Sequence, residues 1–229
     1  MSTKVEKIEI PFHEQTLEGL LLRPEGSRWL FVMAHGAGAG MHHPLLEDIS
    51  RQLAEIGIST LRFNFPYMQR GRRLPDREPE LLSALESVWI WAHHHAPEMA
   101  VMVGGKSMGG RMSSILVSRG GWDRVRGLVF LGFPLHPAKK PAITRADHLR
   151  DVHKPMLFLQ GTRDLLAEPK LMDQVYSKLG PKARVHYVTG ADHGFEVLRR
   201  LRRSSEEVKS ELCGEIARFC QKIDNSHSF

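Results

Sequence analysis

Gly105-Lys106-Ser107-Met108-Gly109 is the stretch of this chain best suited to chemistry. It has the form G-x-S-x-G, in which a serine sits on a sharp strand-to-helix turn with its hydroxyl thrust outward. Such a turn brings the segments before and after Ser107 together, so a Cβ at Gly105 or Gly109 would collide. Lys106 reads simply as the variable residue before the serine. A serine hydroxyl attacks poorly until a base removes its proton. His193, in Ala191-Asp192-His193-Gly194, can be that base, and return the proton to the leaving group. Asp164, in Gly161-Thr162-Arg163-Asp164, can hold the imidazole in the right tautomer and stabilise the imidazolium. Asp192 is a rival acid, but adjacent residues cannot easily turn their side chains to one point, so Asp164 is preferred. Attack on a carbonyl builds negative charge on its oxygen, which needs donors already in place. The Met108 N–H is one. The glycine-rich loop from His35 to Gly40 should supply the other, with Ala37 favoured and Gly38 the alternative. His35 is expected to orient that loop through hydrogen bonds rather than to move protons.

Residues so far apart in sequence can meet only if the elements before them end at one edge. The alternation of Val5, Ile8 and Ile10, then Leu17, Leu20 and Leu22, around His13-Glu14-Gln15 predicts an antiparallel hairpin. Trp29 to Ala34 is a continuous apolar run, the pattern of a strand buried on both faces. Strands follow at Ser59–Phe65, from Ala100 to the serine, at Val125–Phe133, Pro155–Gln160 and Ala183–Val188. Helical spacing of apolar residues covers Pro44–Ile56, Glu78–His95, Met108–Ser118, Glu168–Leu179 and Ser204–Ile223. Strands alternating with helices imply β-α-β units and a mainly parallel sheet. Ligands of such a sheet bind outside the carboxyl ends of its strands. Ser107, Asp164, His193 and the loop at 35–40 each follow a predicted strand directly. Pro134 to His153 is polar, with one short helix, and leaves room for only a minimal lid. No repeat or linker divides the 229 residues, so one domain over 1–229 is expected.

Charged residues make up 25% of the chain and the net charge is +6, a moderately basic balance with no dense basic tail. Nucleic-acid binding is therefore not expected. No stretch approaches the ~18 apolar residues that cross a bilayer, and Met1 to Ile10 lacks the apolar core of a signal peptide, so no membrane association is expected. Cys213 and Cys220 are the only cysteines; on one helix they lie about 10 Å apart, too far for a disulfide. Core packing in a reduced, cytoplasmic setting is the expectation.

These residues resemble the α/β-hydrolase superfamily, whose nucleophile, acid and base follow the order of Ser107, Asp164 and His193. More narrowly the chain is similar to the small dienelactone-hydrolase-like group, and within it to the branch that includes a testis-expressed hydrolase-like protein and the hydrolase-like domain of a chromatin-complex subunit. The stretches that carry the likeness are His35–Gly40, Arg62-Phe63-Asn64-Phe65-Pro66-Tyr67, Gly104–Arg111 and Phe133-Pro134-Leu135-His136-Pro137. The resemblance implies an α/β-hydrolase fold with helices on both faces of the sheet and no cofactor. It also implies serine hydrolase activity on a small ester-like substrate, carboxylester or thioester. The chain departs from dienelactone hydrolases proper at Ser107, where they carry cysteine, so their lactone substrate is not carried over. The alternative is the same fold kept as a non-catalytic interaction module. A complete serine, acid and base argue against that, because binding alone would not need them.

Four further features invite functional readings. Gly104-Gly105-Lys106-Ser107 looks like the end of a nucleotide-binding P-loop, but that motif wants glycine where Ala100 stands and a loop where a strand is predicted. Arg70, Arg72 and Arg73, in a polar loop from Tyr67 to Pro79 that should border the pocket, could contact an anionic group of the substrate. His93-His94-His95 could clip a metal, but consecutive helical residues point different ways, so no metal site is expected. Leu198 to Arg203 is basic and reads as a salt-bridged helical surface opposite Glu206, Glu207 and Glu211.

Overall fold

The computed structural model describes residues 4–226. The N-terminal alternation becomes a hairpin of β1 (Val5–Phe12) and β2 (Gln15–Leu22), in the register Ile8↔Gly19 and Ile10↔Leu17. A two-residue turn joins them, and His13 takes a φ of 51° there, as tight hairpin turns require. The hairpin is the antiparallel end of one eight-stranded sheet. The rest is β3 (Trp29–Ala34), β4 (Ile58–Phe63), β5 (Ala100–Lys106), β6 (Val125–Leu131), β7 (Met156–Gly161) and β8 (Ala183–Val188). Their spatial order is β1-β2-β4-β3-β5-β6-β7-β8, and every pair from β4 onward is parallel.

The continuous apolar runs are buried on both faces because helices cover both. They are α1 (Pro44–Glu55), α2 (Pro66–Gln69), α3 (Glu78–His95), α4 (Met108–Ser118), α5 (Pro169–Leu179) and α6 (Ser205–Ser226). Side chains alternate along a strand, so each central strand feeds two cores. Leu30, Val32, Val101 and Val103 pack with residues of α3, α4 and α5. Phe31, Met33 and Met102 pack on the other face with residues of α1 and α6. Cys213 and Cys220 are free and buried in this second core, and burial pushes both thiols up to about 12. No helix among the described residues is long and apolar enough to cross a membrane.

From β3 the chain moves outward to β4, then returns to set β5 on β3's other side. That reversal opens a crevice at the carboxyl ends of β3 and β5, where the loop at 35–40 and the serine turn face each other. Two expectations shift. The strand predicted to Phe133 ends at Leu131, because Gly132 turns the chain at a φ of 73°. The strand predicted to Phe65 ends at Phe63, and Pro66 opens α2, a helix not foreseen, as proline suits a first helical turn. Between Pro134 and His153 the only helix is a 3₁₀ segment, Thr144–Asp151, bound to α4 through Ser114 and His148.

Candidate active site

The turn at Ser107 is built from absences. A Cβ on Gly105 would lie 2.1 Å from the Ala34 carbonyl oxygen, and one on Gly109 would lie 2.4 Å from the same atom. Only glycines let β5 and α4 press against the end of β3 this closely. Ser107 itself takes φ 50° and ψ −114°, a backbone state costly for a residue with a side chain. Its N–H donates to the Leu131 carbonyl at 3.2 Å, and its own carbonyl accepts the Arg111 N–H at 3.1 Å.

The three predicted side chains form one hydrogen-bonded chain. His193 Nε2 lies 2.9 Å from Ser107 Oγ, and His193 Nδ1 lies 2.7 Å from Asp164 Oδ2. Asp164 is 1% exposed. Its Oδ2 also accepts from Gln160 Nε2 at 2.8 Å, and its Oδ1 from the Leu166 N–H at 2.8 Å. Every partner is a donor, which suits an ionised carboxylate. The carboxylate draws the proton to Nδ1 and leaves the Nε2 lone pair facing the serine. Gln160 is a residue the sequence reading missed. Its Oε1 accepts from the Phe133 N–H at 2.9 Å, which fixes the amide so that Nε2 points at Asp164. A polar residue in an otherwise apolar buried strand, four positions before the acid, was the available signal. Asp192, the rival acid, is occupied elsewhere: its Oδ1 accepts from the Gly194 and Glu196 N–H groups at 2.8 and 3.0 Å and shapes the turn that carries His193.

His35 hydrogen-bonds both the loop after β3 and the chain after β4. The Phe65 N–H donates to its Nε2 at 3.1 Å, so the ring proton is on Nδ1, which donates to the Gly36 carbonyl at 2.7 Å. Burial pushes its pKa down to about 4, so the ring is neutral and no proton carrier. The stretch Arg62–Tyr67 braces the same loop at three more points. Arg62 Nη1 donates to the Met41 carbonyl, Asn64 Oδ1 accepts the Met41 N–H, and Tyr67 Oη accepts the Gly38 N–H at 3.0 Å. The Gly38 N–H, the alternative candidate for the oxyanion, therefore already has a partner. The Ala37 N–H has none among the described residues, and Met108 opens α4, where first-turn N–H groups lack intrahelical acceptors.

Lys106 is the clearest correction. Read from sequence as no more than the variable residue before the serine, it is 6% exposed and makes specific contacts. Its Nζ donates to the His193 carbonyl at 2.5 Å and sits 5.7 Å from the centre of the Phe195 ring. Burial pushes its pKa down to about 8, against the pull of Asp164 and Asp192.

The arginine loop divides. Arg70 and Arg72 both pair with Asp76, and Arg70 reaches Glu80 at 4.0 Å, so Asp76 of the loop and Glu80 of α3 offset their charge. Arg73 has no ion pair among the described residues, and its carbonyl lies against Gly38 of the braced loop. The remaining features are quiet. His95 stacks on Trp91 and bonds its carbonyl, while His93 faces Arg124, so the histidine run does not converge. β5 is unbroken up to Lys106, which leaves no loop to wrap a phosphate. The basic segment holds a 3₁₀ turn, Arg199–Leu201, and among the described residues only Arg203 of its arginines pairs with a glutamate, Glu211. Its glutamates serve elsewhere, Glu206 with Lys209 and Glu207 at the Ser204 backbone.

The fold is shared with solved structures of low sequence identity. A serine hydrolase without lid from Xanthomonas campestris matches with TM-score 0.74 and 18% identity over 96% of each chain. A dienelactone hydrolase from Anabaena variabilis matches with TM-score 0.74 and 22% identity over 93% of this chain and 97% of that one. A serine hydrolase homologue from Coxiella burnetii matches with TM-score 0.71 and 21% identity over 92% of this chain and 96% of that one. A family model described as alpha/beta hydrolase domain matches residues 27–221, most of the chain. That span holds β3 to β8, the serine turn and the braced loop, and this chain belongs to the alpha/beta hydrolase domain family.

Proposed function

We propose that this protein is a serine hydrolase that cleaves a small ester-like substrate, carboxylester or thioester, through an acyl-enzyme. The observation that carries the reading is the continuous hydrogen-bonded chain from Ser107 Oγ through His193 to Asp164. In the first half-reaction His193 Nε2 takes the serine proton as Oγ attacks the carbonyl carbon. The imidazolium that forms is stabilised by buried Asp164. The oxyanion is met by the N–H groups of Ala37 and Met108, each such donor contributing about 3–4 kcal/mol to the transition state. His193 then protonates the leaving alkoxide or thiolate, the tetrahedral intermediate collapses, and the acyl group stays on Oγ. Water, deprotonated by the same Nε2, repeats the sequence and releases the acid. The His193 side chain is 26% exposed and the Pro134–His153 stretch is short, which favours a small or solvent-reaching acyl group over a long buried lipid chain.

A fluorophosphonate probe tests the reading directly, since it phosphonylates only an activated serine. The wild type should label at Ser107 and Ser107→Ala should not, and a p-nitrophenyl ester series should turn over fastest at short acyl chains. A folded wild type that resists the probe would instead mark the chain as a non-catalytic interaction module.

A further inference from the structure

Strand alternation explains why Lys106 is easily dismissed. The serine that follows it turns toward the crevice, while Lys106, in phase with Met102 and Gly104, is sent beneath the sheet's end toward the core of α1 and α6. There the side chain passes under Gly36, where an added Cβ would lie 3.6 Å from Lys106 Cγ. Its ammonium ends beside Gly132, where an added Cβ would lie 3.1 Å from Nζ and 3.3 Å from His193 Nδ1. Ammonium and imidazole therefore border the same gap.

An ammonium placed there carries a cost that a merely space-filling residue would avoid. No carboxylate lies within ion-pair distance of Nζ among the described residues. Its direct partners are a backbone carbonyl and an aromatic face, so desolvation is only partly offset. Methionine would fill the volume without that cost. What the charge provides is a link. The turn at His193 is held internally by Asp192, with the Phe195 N–H on the Asp192 carbonyl at 3.1 Å and the Asp192 N–H on the Glu196 carbonyl at 3.0 Å. Arg163 N–H ties the turn's first residue, Ala191, to the end of β7. The carbonyl of His193 itself is bonded, among the described residues, only by Lys106.

We propose that Lys106 is a positioning residue for the catalytic base, its ammonium fastening the His193 backbone to the strand that carries Ser107. The proposal rests on the serine-hydrolase reading above. The nucleophile and its base come from loops of different strands, and a charge-assisted hydrogen bond from the residue adjoining the serine keeps them in register. The groups that face the ammonium are Asp164 from the end of β7, Asp192 and His193 from the loop after β8, and His43 ahead of α1. As pH rises past about 8 Lys106 gives up its proton, and the fastening weakens to that of a neutral amine.

The test compares wild type with Lys106→Met and Lys106→Gln by thermal unfolding, fluorophosphonate labelling rate and steady-state kinetics on a p-nitrophenyl ester from pH 6 to 10. Both variants should keep or raise the melting temperature at pH 7. Labelling and kcat should fall about tenfold to a hundredfold in Lys106→Met, the scale of misplacing a reacting group, with KM within about twofold, and less in Lys106→Gln, which retains a donor. Wild type should lose rate around pH 8, and both variants should lack that inflection. If the wild type labels and Lys106→Met labels as fast, the positioning role is wrong and the hydrolase reading stands. If both variants lose stability in step with rate, Lys106 only supports the fold and the proposal fails. A wild type that never labels removes the hydrolase reading and this role with it.

Discussion

Asp164 and Asp192 stand within one turn of the same histidine in sequence or space, yet their hydrogen bonds give them different work. Asp164 is buried, accepts from Gln160 and Leu166, and meets His193 Nδ1. Asp192 accepts two backbone N–H groups of its own turn. Asp164→Asn would present an amide that can hold the imidazole in the wrong tautomer, and kcat should fall on the order of 10⁴-fold. Asp192→Asn keeps an oxygen for those N–H groups, and its loss should stay under about tenfold, the two being compared as kcat/KM on one ester; equal losses would assign the acid role wrongly. At this scale Ser107, Asp164 and His193 were legible because each directly follows a strand and belongs to a short motif whose chemistry names the residue type. Lys106 and Gln160 were not. Both sit within strands, where sequence pattern reports burial but not what a polar tip will touch across the sheet. The signal they share is a long polar side chain in a run otherwise buried and apolar.

The element that the sequence undervalued is the turn from β4 into α2. Arg62, Asn64, Phe65 and Tyr67 all reach the loop after β3, through side chains or backbone, and none was assigned a task beyond likeness to a family. A four-residue helix has too few positions to show a period, and proline reads equally well as a strand's end or a helix's start. Tyr67 is wholly buried, and burial raises the pKa of its phenol, so the hydroxyl stays protonated and accepts the Gly38 N–H through its oxygen. Tyr67→Phe would strand that N–H and free the loop that presents Ala37. Gly38 is half-buried, so stability should drop by about 1 kcal/mol, the low end of the cost of an unsatisfied donor. The kinetic expectation is a several-fold lower kcat at nearly constant KM, since the loop meets the oxyanion more than the bound ester. A rise in KM alone would mean that the Tyr67 side chain shapes substrate binding instead.

Across the whole molecule the parallel sheet does what its alternating pattern promised: it brings four loops from distant parts of the chain to one edge, with hydrophobic cores behind them on both faces. That edge and its surroundings also hold histidines, His35 buried and His148 half-buried, that the fold keeps neutral. Burial pushes His35 down to about 4, and burial together with Arg111 does the same to His148, which bonds Ser114. An unfolded chain takes up a proton at each of these near pH 6.5, whereas the folded chain refuses it until about pH 4. Between those values the unfolded state binds more protons, so stability must fall as pH falls. His35 alone accounts for about 3 kcal/mol across the full window, as an order of magnitude, and His148, partly solvated, for less. Carboxylates such as Glu47, Asp48 and Glu211, whose pKa values are lowered by their cationic partners, lose their contribution only at lower pH. The upper part of the acid limb therefore belongs to histidine. The melting temperature should decline by about 4–8 °C between pH 7 and pH 5, taking roughly 2 kcal/mol and the scale for a domain of this size. His148→Gln, which can keep a hydrogen bond to Ser114, should flatten part of that decline without moving the limb below pH 4. A melting temperature that holds level from pH 7 to pH 5 would mean that the folded chain accepts these protons, and that neither ring is held neutral by its surroundings.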